Sequence, residues 1–168
     1  MSQDKTEAVL NPVMVTVIAH VFLTMQDMGI PAALARKVVS NVCYDVTDTG
    51  DDAKSLFEAG RDRGMWLDKG KHDADAAYLT AKGEGSPDFI TTSTMTAHVV
   101  LGALDAGTPQ FLISPLLNKL LDRFAESDAV REKLLISSRD ICLELNEKRE
   151  ESSDDNPETV VELEETGS

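Results

Sequence analysis

Leu56-Phe57-Glu58-Ala59-Gly60-Arg61-Asp62-Arg63-Gly64-Met65-Trp66 is the stretch on which the fold turns. A glycine closes helices readily, so a short helix over residues 53–59 is expected to stop at Gly60. Glycines then recur at 60, 64, 70, 83 and 85, with the apolar groups Met65-Trp66-Leu67 and Ala77-Tyr78-Leu79 between them. That pattern predicts two short strands joined by a polar loop, an antiparallel hairpin over residues 64–81.

Upstream, Asn11-Pro12 forms a helix start, with Asn as cap and Pro in the first turn. The helix that follows is apolar nearly all round, through Val13, Val17, Ile18, Val21, Phe22 and Met25. Thr16, His20, Thr24 and Asp27 form a narrow polar stripe on it. A helix of this kind belongs at the centre of a core. Gly29 ends it, and Pro31 opens a second helix with Leu34, Val38 and Val42 inward and Arg36, Lys37, Ser40 and Asn41 outward. The string from Asp45 to Asp52 breaks the pattern with turn formers.

Downstream, Ser86-Pro87-Asp88 starts a helix with Ile90, Ala97, Leu101 and Leu104 on one side and Gly107 beyond its end. Ser114-Pro115 reads as a fresh start for a helix carrying Leu116, Leu117, Leu120, Leu121 and Phe124. Ser127 or Asp128 caps a last helix to about Arg149, with Val130, Leu134, Leu135, Ile141, Cys142 and Leu145 inward. The two apolar stripes from Pro115 to Leu145 exceed what one small domain readily hides, which predicts a symmetric homodimer through the C-terminal helices. Residues 150–168 are expected to form a disordered acidic tail, dispensable for folding of the body.

The chain has 168 residues and a formal charge of −14. Residues 150–168 hold eight acids and no Lys or Arg, and the remaining chain carries 22 acids against 16 bases, a net −6. A body of that charge repels nucleic acid on average, so contact with it needs a local basic patch. Aromatic residues make up 5% of the chain, leaving Leu, Val, Ile, Ala and Met to fill the interior, a helical palette. The apolar run Val13 to Met25 is too short for a membrane span. The opening residues carry acids and lack the basic region of a secretory signal. Cys43 and Cys142, the two cysteines, form no ligand or disulfide pattern. A cytoplasmic protein with buried free thiols is therefore expected.

Leu56 to Trp66, followed by Ala77-Tyr78-Leu79-Thr80-Ala81-Lys82-Gly83, resembles winged helix-turn-helix regulators of the MarR and PadR kind. In these, a helix ends at Gly, a strand leaves, a basic wing turns, and a returning strand closes with Leu-Thr-x-x-Gly. Leu34-Ala35 matches the Leu-Ala placed on the second helix, so the resemblance covers roughly residues 12–85. It implies a DNA-binding role in transcription regulation, with Lys69, Lys71 and His72 at the wing tip and Arg61 and Arg63 at its base on phosphate. The stretch that would be the recognition helix, about Val42 to Ala59, departs from the pattern: it carries Asp45, Asp48, Asp51, Asp52 and Glu58 against one Lys54. Such a face suits a phosphate-lined groove poorly.

Chemistry is not expected. His72, Asp73 and Asp75 share a loop but lack further ligands at a metal-site spacing. A calcium loop from Asp45 would place Gly50 correctly, yet Thr47 and Thr49 stand where carboxylates belong and Leu56 replaces the closing Glu. His20, His72 and His98 lie in separate elements, with no nucleophile or phosphate-loop motif beside them. The run from Thr91 to Thr96 suits helix hydroxyls bonding back to carbonyls. The reading is a mainly helical single domain over residues 1–149 with a small hairpin, a winged-helix part over 12–85 and a helical dimerisation part over 86–149. It is expected to act without catalysis or cofactor, as a regulator. The alternative is an acidic, all-helical protein–protein interaction module, such as an adaptor, inhibitor or assembly chaperone, set against a basic partner.

Overall fold

In the computed structural model, residues 11–67, 87–125 and 127–154 are described. Every element among them is an α-helix: α1 Pro12–Asp27, α2 Ala32–Val46, α3 Gly50–Leu67, α4 Pro87–Asp105, α5 Gln110–Phe124 and α6 Asp128–Asp154.

α1 forms where its sequence sets the start. Asn11 accepts hydrogen bonds from the backbone N–H groups of Val13 at 2.8 Å and Met14 at 3.4 Å, and Pro12 occupies the first helical position. Val17, Ile18, Val21 and Met25 are fully buried, and so are His20 and Thr24 on the polar stripe. Thr16, His20 and Thr24 of the stripe thus face protein, while Asp27 at its end is exposed: Thr16 Oγ1 donates to the Pro12 carbonyl at 2.9 Å, and the His20 ring stands edge-on to Phe124. α1 is central, packed by α2, α3, α4 and α5. Each fully buried Val, Ile or Met side chain stabilises this arrangement by about 1.5–3 kcal/mol.

Two glycines shape the turns. Gly29 takes φ +73° and Gly107 φ +82°, the left-handed conformation that closes a helix. After each, the next residue donates back to a carbonyl inside the helix, Ile30 to Met25 and Thr108 to Ala103, both at 3.0 Å.

Gly60 behaves differently. It does not end a helix: α3 continues through Gly60 and Gly64 to Leu67. Met65, Trp66 and Leu67 are therefore helical, which corrects the first strand of the expected hairpin over 64–81. The rest of that hairpin lies outside the described residues. The physical reason is tertiary. A Cβ built on Gly60 would stand 2.2 Å from Ile18 Cγ2, so the missing side chain lets α3 cross α1 closely. Phe22 and Phe57 complete this interface with rings 5.4 Å apart and nearly perpendicular.

α2 and α4 pack antiparallel, with Asn41 Nδ2 donating to the Gly102 carbonyl at 3.0 Å. The main core cluster runs from Val13 on α1 to Leu134 on α6 and joins both halves of the chain, beside a small second one of Ala19, Leu23 and Leu67. α5 corrects another expectation, since it runs unbroken from Gln110 with Pro115 inside it. The carbonyl of Phe111, which Pro115 leaves without its usual helical donor, belongs to a residue 77% exposed, where water is at hand. α6 starts at the Ser127 cap and runs to Asp154, past the Arg149 limit read from the sequence. Residues 155–168 lie outside the described part.

Leu116, Leu120, Leu121, Phe124 and Leu134 are buried within one chain. The C-terminal stripe expected to meet a second copy is thus largely covered by the chain itself, with α5 against α1 and α6 against α4. On α4, Ala97 and Leu101 face inward as expected, whereas Ile90 and Leu104 are exposed. Among the described residues no helix is long and apolar enough to cross a membrane.

Candidate functional site

The close approach of α3 to α1 holds further along than Gly60. At Gly64 the nearest atoms to a built Cβ are those of Ala19, at 3.5 Å and beyond. Beside this contact the Gly29 turn swings the chain into α2, which begins with the small residues Ala32 and Ala35. Small side chains on one wall and a glycine on the other leave a cleft of about 480 Å³ between the C-terminal half of α1, the start of α2 and the end of α3. That volume lies within the range of ligand-receiving sites.

Phe22, Leu23, Ile30, Ala35 and Met65 make the cleft apolar, while Gln26, Arg36 and Arg61 bring polar groups to it. Arg36 is exposed. Arg61 stands 3.8 Å from its neighbour Asp62, and both side chains are more than half exposed. Such a pairing leaves most of the guanidinium's donors to water or a ligand. Beyond Met65, itself 59% exposed, the partly exposed Trp66 ring carries Arg63 over its face at 4.8 Å. This end of the molecule combines apolar surface with positive charge in a protein that is acidic overall.

Of the sequence-derived phosphate contacts, Arg61 and Arg63 both sit on α3, and Lys69, Lys71 and His72 lie outside the described residues. Asp73 and Asp75, which share the loop of His72 in the sequence, lie outside them too. Among the described residues, no three His, Cys, Asp or Glu side chains come together to hold a metal ion. Sequence reasoning missed Arg36 and Met65 as partners of Arg61. Arg36 was legible as an outward residue of α2, but the expected stop at Gly60 removed the helix that brings Met65 opposite it.

A second constellation joins three helix ends. Arg149 on α6 reaches Asp45 on α2 at 3.4 Å and Asp105 on α4 at 2.9 Å, and His98 Nδ1 lies 3.8 Å from Asp45. Burial pushes the His98 pKa below its usual 6.5, opposed by Asp45 and reinforced by Arg149. The cluster is a clamp that fastens the end of α6 to the body. Burial also raises the Cys43 thiol to about 12 and pushes Cys142 up, so neither cysteine is primed as a thiolate.

Compared with known proteins, the chain matches no family model, no curated protein and no solved structure.

Proposed function

We propose that this protein is a non-enzymatic regulator that works by binding, an all-helical interaction module whose α1–α2–α3 cleft takes an apolar, acid-flanked segment of a protein partner. The observation that carries the reading is the cleft's composition: an apolar floor of Phe22, Leu23 and Ile30 beside Arg36 and Arg61. Apolar burial supplies affinity for a docked segment, and exposed cations beside it favour flanking carboxylates and steer their approach. The local charge at this site thus selects an acidic segment, although the protein as a whole would attract a basic one.

A displayed pool of random peptides tests this. Enriched peptides should pair apolar residues with Asp or Glu and lose binding to Arg36→Glu/Arg61→Glu protein. Enriched peptides that are basic, or that bind the double variant equally well, would reject it.

A second reading, the winged-helix DNA-binding regulator, draws support from one observation: Arg61 and Arg63 lie at the end of α3 that leads directly to Lys69, Lys71 and His72. Any wing is then confined to residues 68–86. Binding to duplex DNA should fall steeply with salt, and Lys69→Ala/Lys71→Ala should weaken it on all sequences alike and flatten the salt slope. No binding at low salt eliminates this reading. For a homodimer, a candidate surface is the outer face of α6, where Ile136 and Leu143 are 50% and 58% exposed and Ile136 lies beside the exposed Ile90 of α4.

A further inference from the structure

The course of α6 bears on what reaches the cleft. α2 and α4 run antiparallel, since Asn41 meets Gly102 while Asp45 lies beside His98. α4 and α6 run parallel, with Phe89 and Ile90 beside Ile136 and Asp140 at one end and Arg149 on Asp105 at the other. α6 therefore runs antiparallel to α2, from the Asp45 end toward the Arg36 end. Asp45 and Arg36 are about 14 Å apart along α2 at the helical rise, and the helix from Arg149 to Asp154 recovers about 7 Å of that. The chain leaves α6 about halfway from the level of Asp45 to that of Arg36, and residues 155–168 follow.

Those residues have a composition that complements the cleft. Val160, Val161 and Leu163 stand together, flanked by Glu158, Glu162, Glu164 and Glu165. About 20 Å of extended chain separates Asp154 from Val160, enough to cross α2, whose neighbours lie about 10 Å away axis to axis. The net-negative body repels this segment over most of its surface. Arg36 and Arg61, by contrast, bring positive charge beside an apolar floor. On composition the segment cannot build a fold of its own, but docking asks only for a surface to cover.

We infer that the α1–α2–α3 cleft is occupied in the free protein by the chain's own C-terminal segment, residues 158–165, with Val160, Val161 and Leu163 on the apolar floor and the flanking glutamates at Arg36 and Arg61. This rests on the reading that the cleft accepts an apolar, acid-flanked segment. The consequence is autoinhibition: a partner segment of the same chemistry gains the site only by displacing the tail, and tethering gives the tail a high effective concentration.

The test uses the full chain and two readouts. One is amide hydrogen exchange over residues 158–165. The other is acrylamide quenching of Trp66, the chain's single tryptophan, which adjoins Met65 of the cleft. The expected result is exchange about tenfold slower than in a free peptide of residues 155–168, protection that disappears in Val160→Asp/Val161→Asp/Leu163→Asp and in Arg36→Glu/Arg61→Glu. In the tail variant Trp66 should become more readily quenched, and the free peptide added in trans should reverse that. These positions lie on the exposed surface or beyond the described helices, and an unchanged far-UV circular dichroism spectrum verifies the fold. Exchange at the free-peptide rate overturns the inference, as does protection that survives Arg36→Glu/Arg61→Glu. If the tail is unprotected while displayed peptides still require Arg36 and Arg61, the inference alone fails; if those peptides ignore the cleft, the binding reading fails as well.

Discussion

Gly60 and Gly64 lie one turn apart on the same helix face and have opposite expected responses to a methyl group. At Gly60 the new Cβ would collide with Ile18 at 2.2 Å. Gly60→Ala should therefore cost about 1–3 kcal/mol in urea unfolding despite the better helix propensity of alanine. At Gly64 the neighbours stand at ordinary contact distance, so Gly64→Ala should be neutral or stabilise by up to about 1 kcal/mol. Equal effects at the two positions would mean that α3 does not cross α1 at Gly60. His98 offers a second measurement at this scale. Its folded pKa lies below the ordinary 6.5 chiefly through burial, so the unfolded chain binds its proton first as pH falls. Its contribution to stability is full above that ordinary value and declines as pH drops through 6.5 toward the folded pKa. His98→Gln should flatten this decline in a pH series of melting temperatures, and an unaltered slope would assign the acid sensitivity elsewhere. These responses were hidden in the sequence because they depend on which atoms face Gly60 and His98, and Ile18 and Asp45 are far from them along the chain.

Among the elements, α6 is held at two places. Ser127 caps its start, while Arg131 reaches Asp122 at 2.6 Å and binds Asn118, tying it to α5. Arg149 clamps the far end to Asp45 and Asp105. Arg149→Ala should leave the first turns of α6 intact, speed amide exchange near residues 145–154 and raise the His98 pKa, since Arg149 disfavours its protonated form. Nuclear magnetic resonance titration of the His98 ring reads the last effect directly; a fall in pKa would contradict the clamp's geometry. The starts of α1 and α6 were legible at Asn11 and Ser127 because capping joins residues two or three apart. The end of α3 was not. A glycine read locally is a stop, whereas Gly60 is used for its lack of volume against Ile18. Pro115 misled in the same way: read locally it opens a helix, yet α5 carries it in its second turn beside the exposed Phe111.

For the whole molecule, burial decides which apolar residues are free for association. Leu120 is buried inside one chain, so Leu120→Ala should cost about 2–5 kcal/mol of stability whatever the oligomeric state. Ile136 and Leu143 are the exposed large apolar residues among the described side chains of α6. Sedimentation at low micromolar concentration is expected to show self-association that Ile136→Lys/Leu143→Lys abolishes without lowering the melting temperature. A wild-type monomer at that concentration would remove the homodimer. The amino-acid sequence by itself determined the helical character, the central place of α1, the caps and turns at Asn11, Gly29 and Gly107, a start of α6 at Ser127 or Asp128, and the acidic balance. All of these follow from composition or from interactions within a turn or two of chain. Tertiary structure decided that α3 runs on through Gly60 and Gly64, that Leu120 and Leu134 are covered within one chain, and that Arg36 and Arg61 flank one apolar cleft. The reason is physical: backbone preferences act between near neighbours, whereas burial and the meeting of charges depend on segments that folding alone brings together.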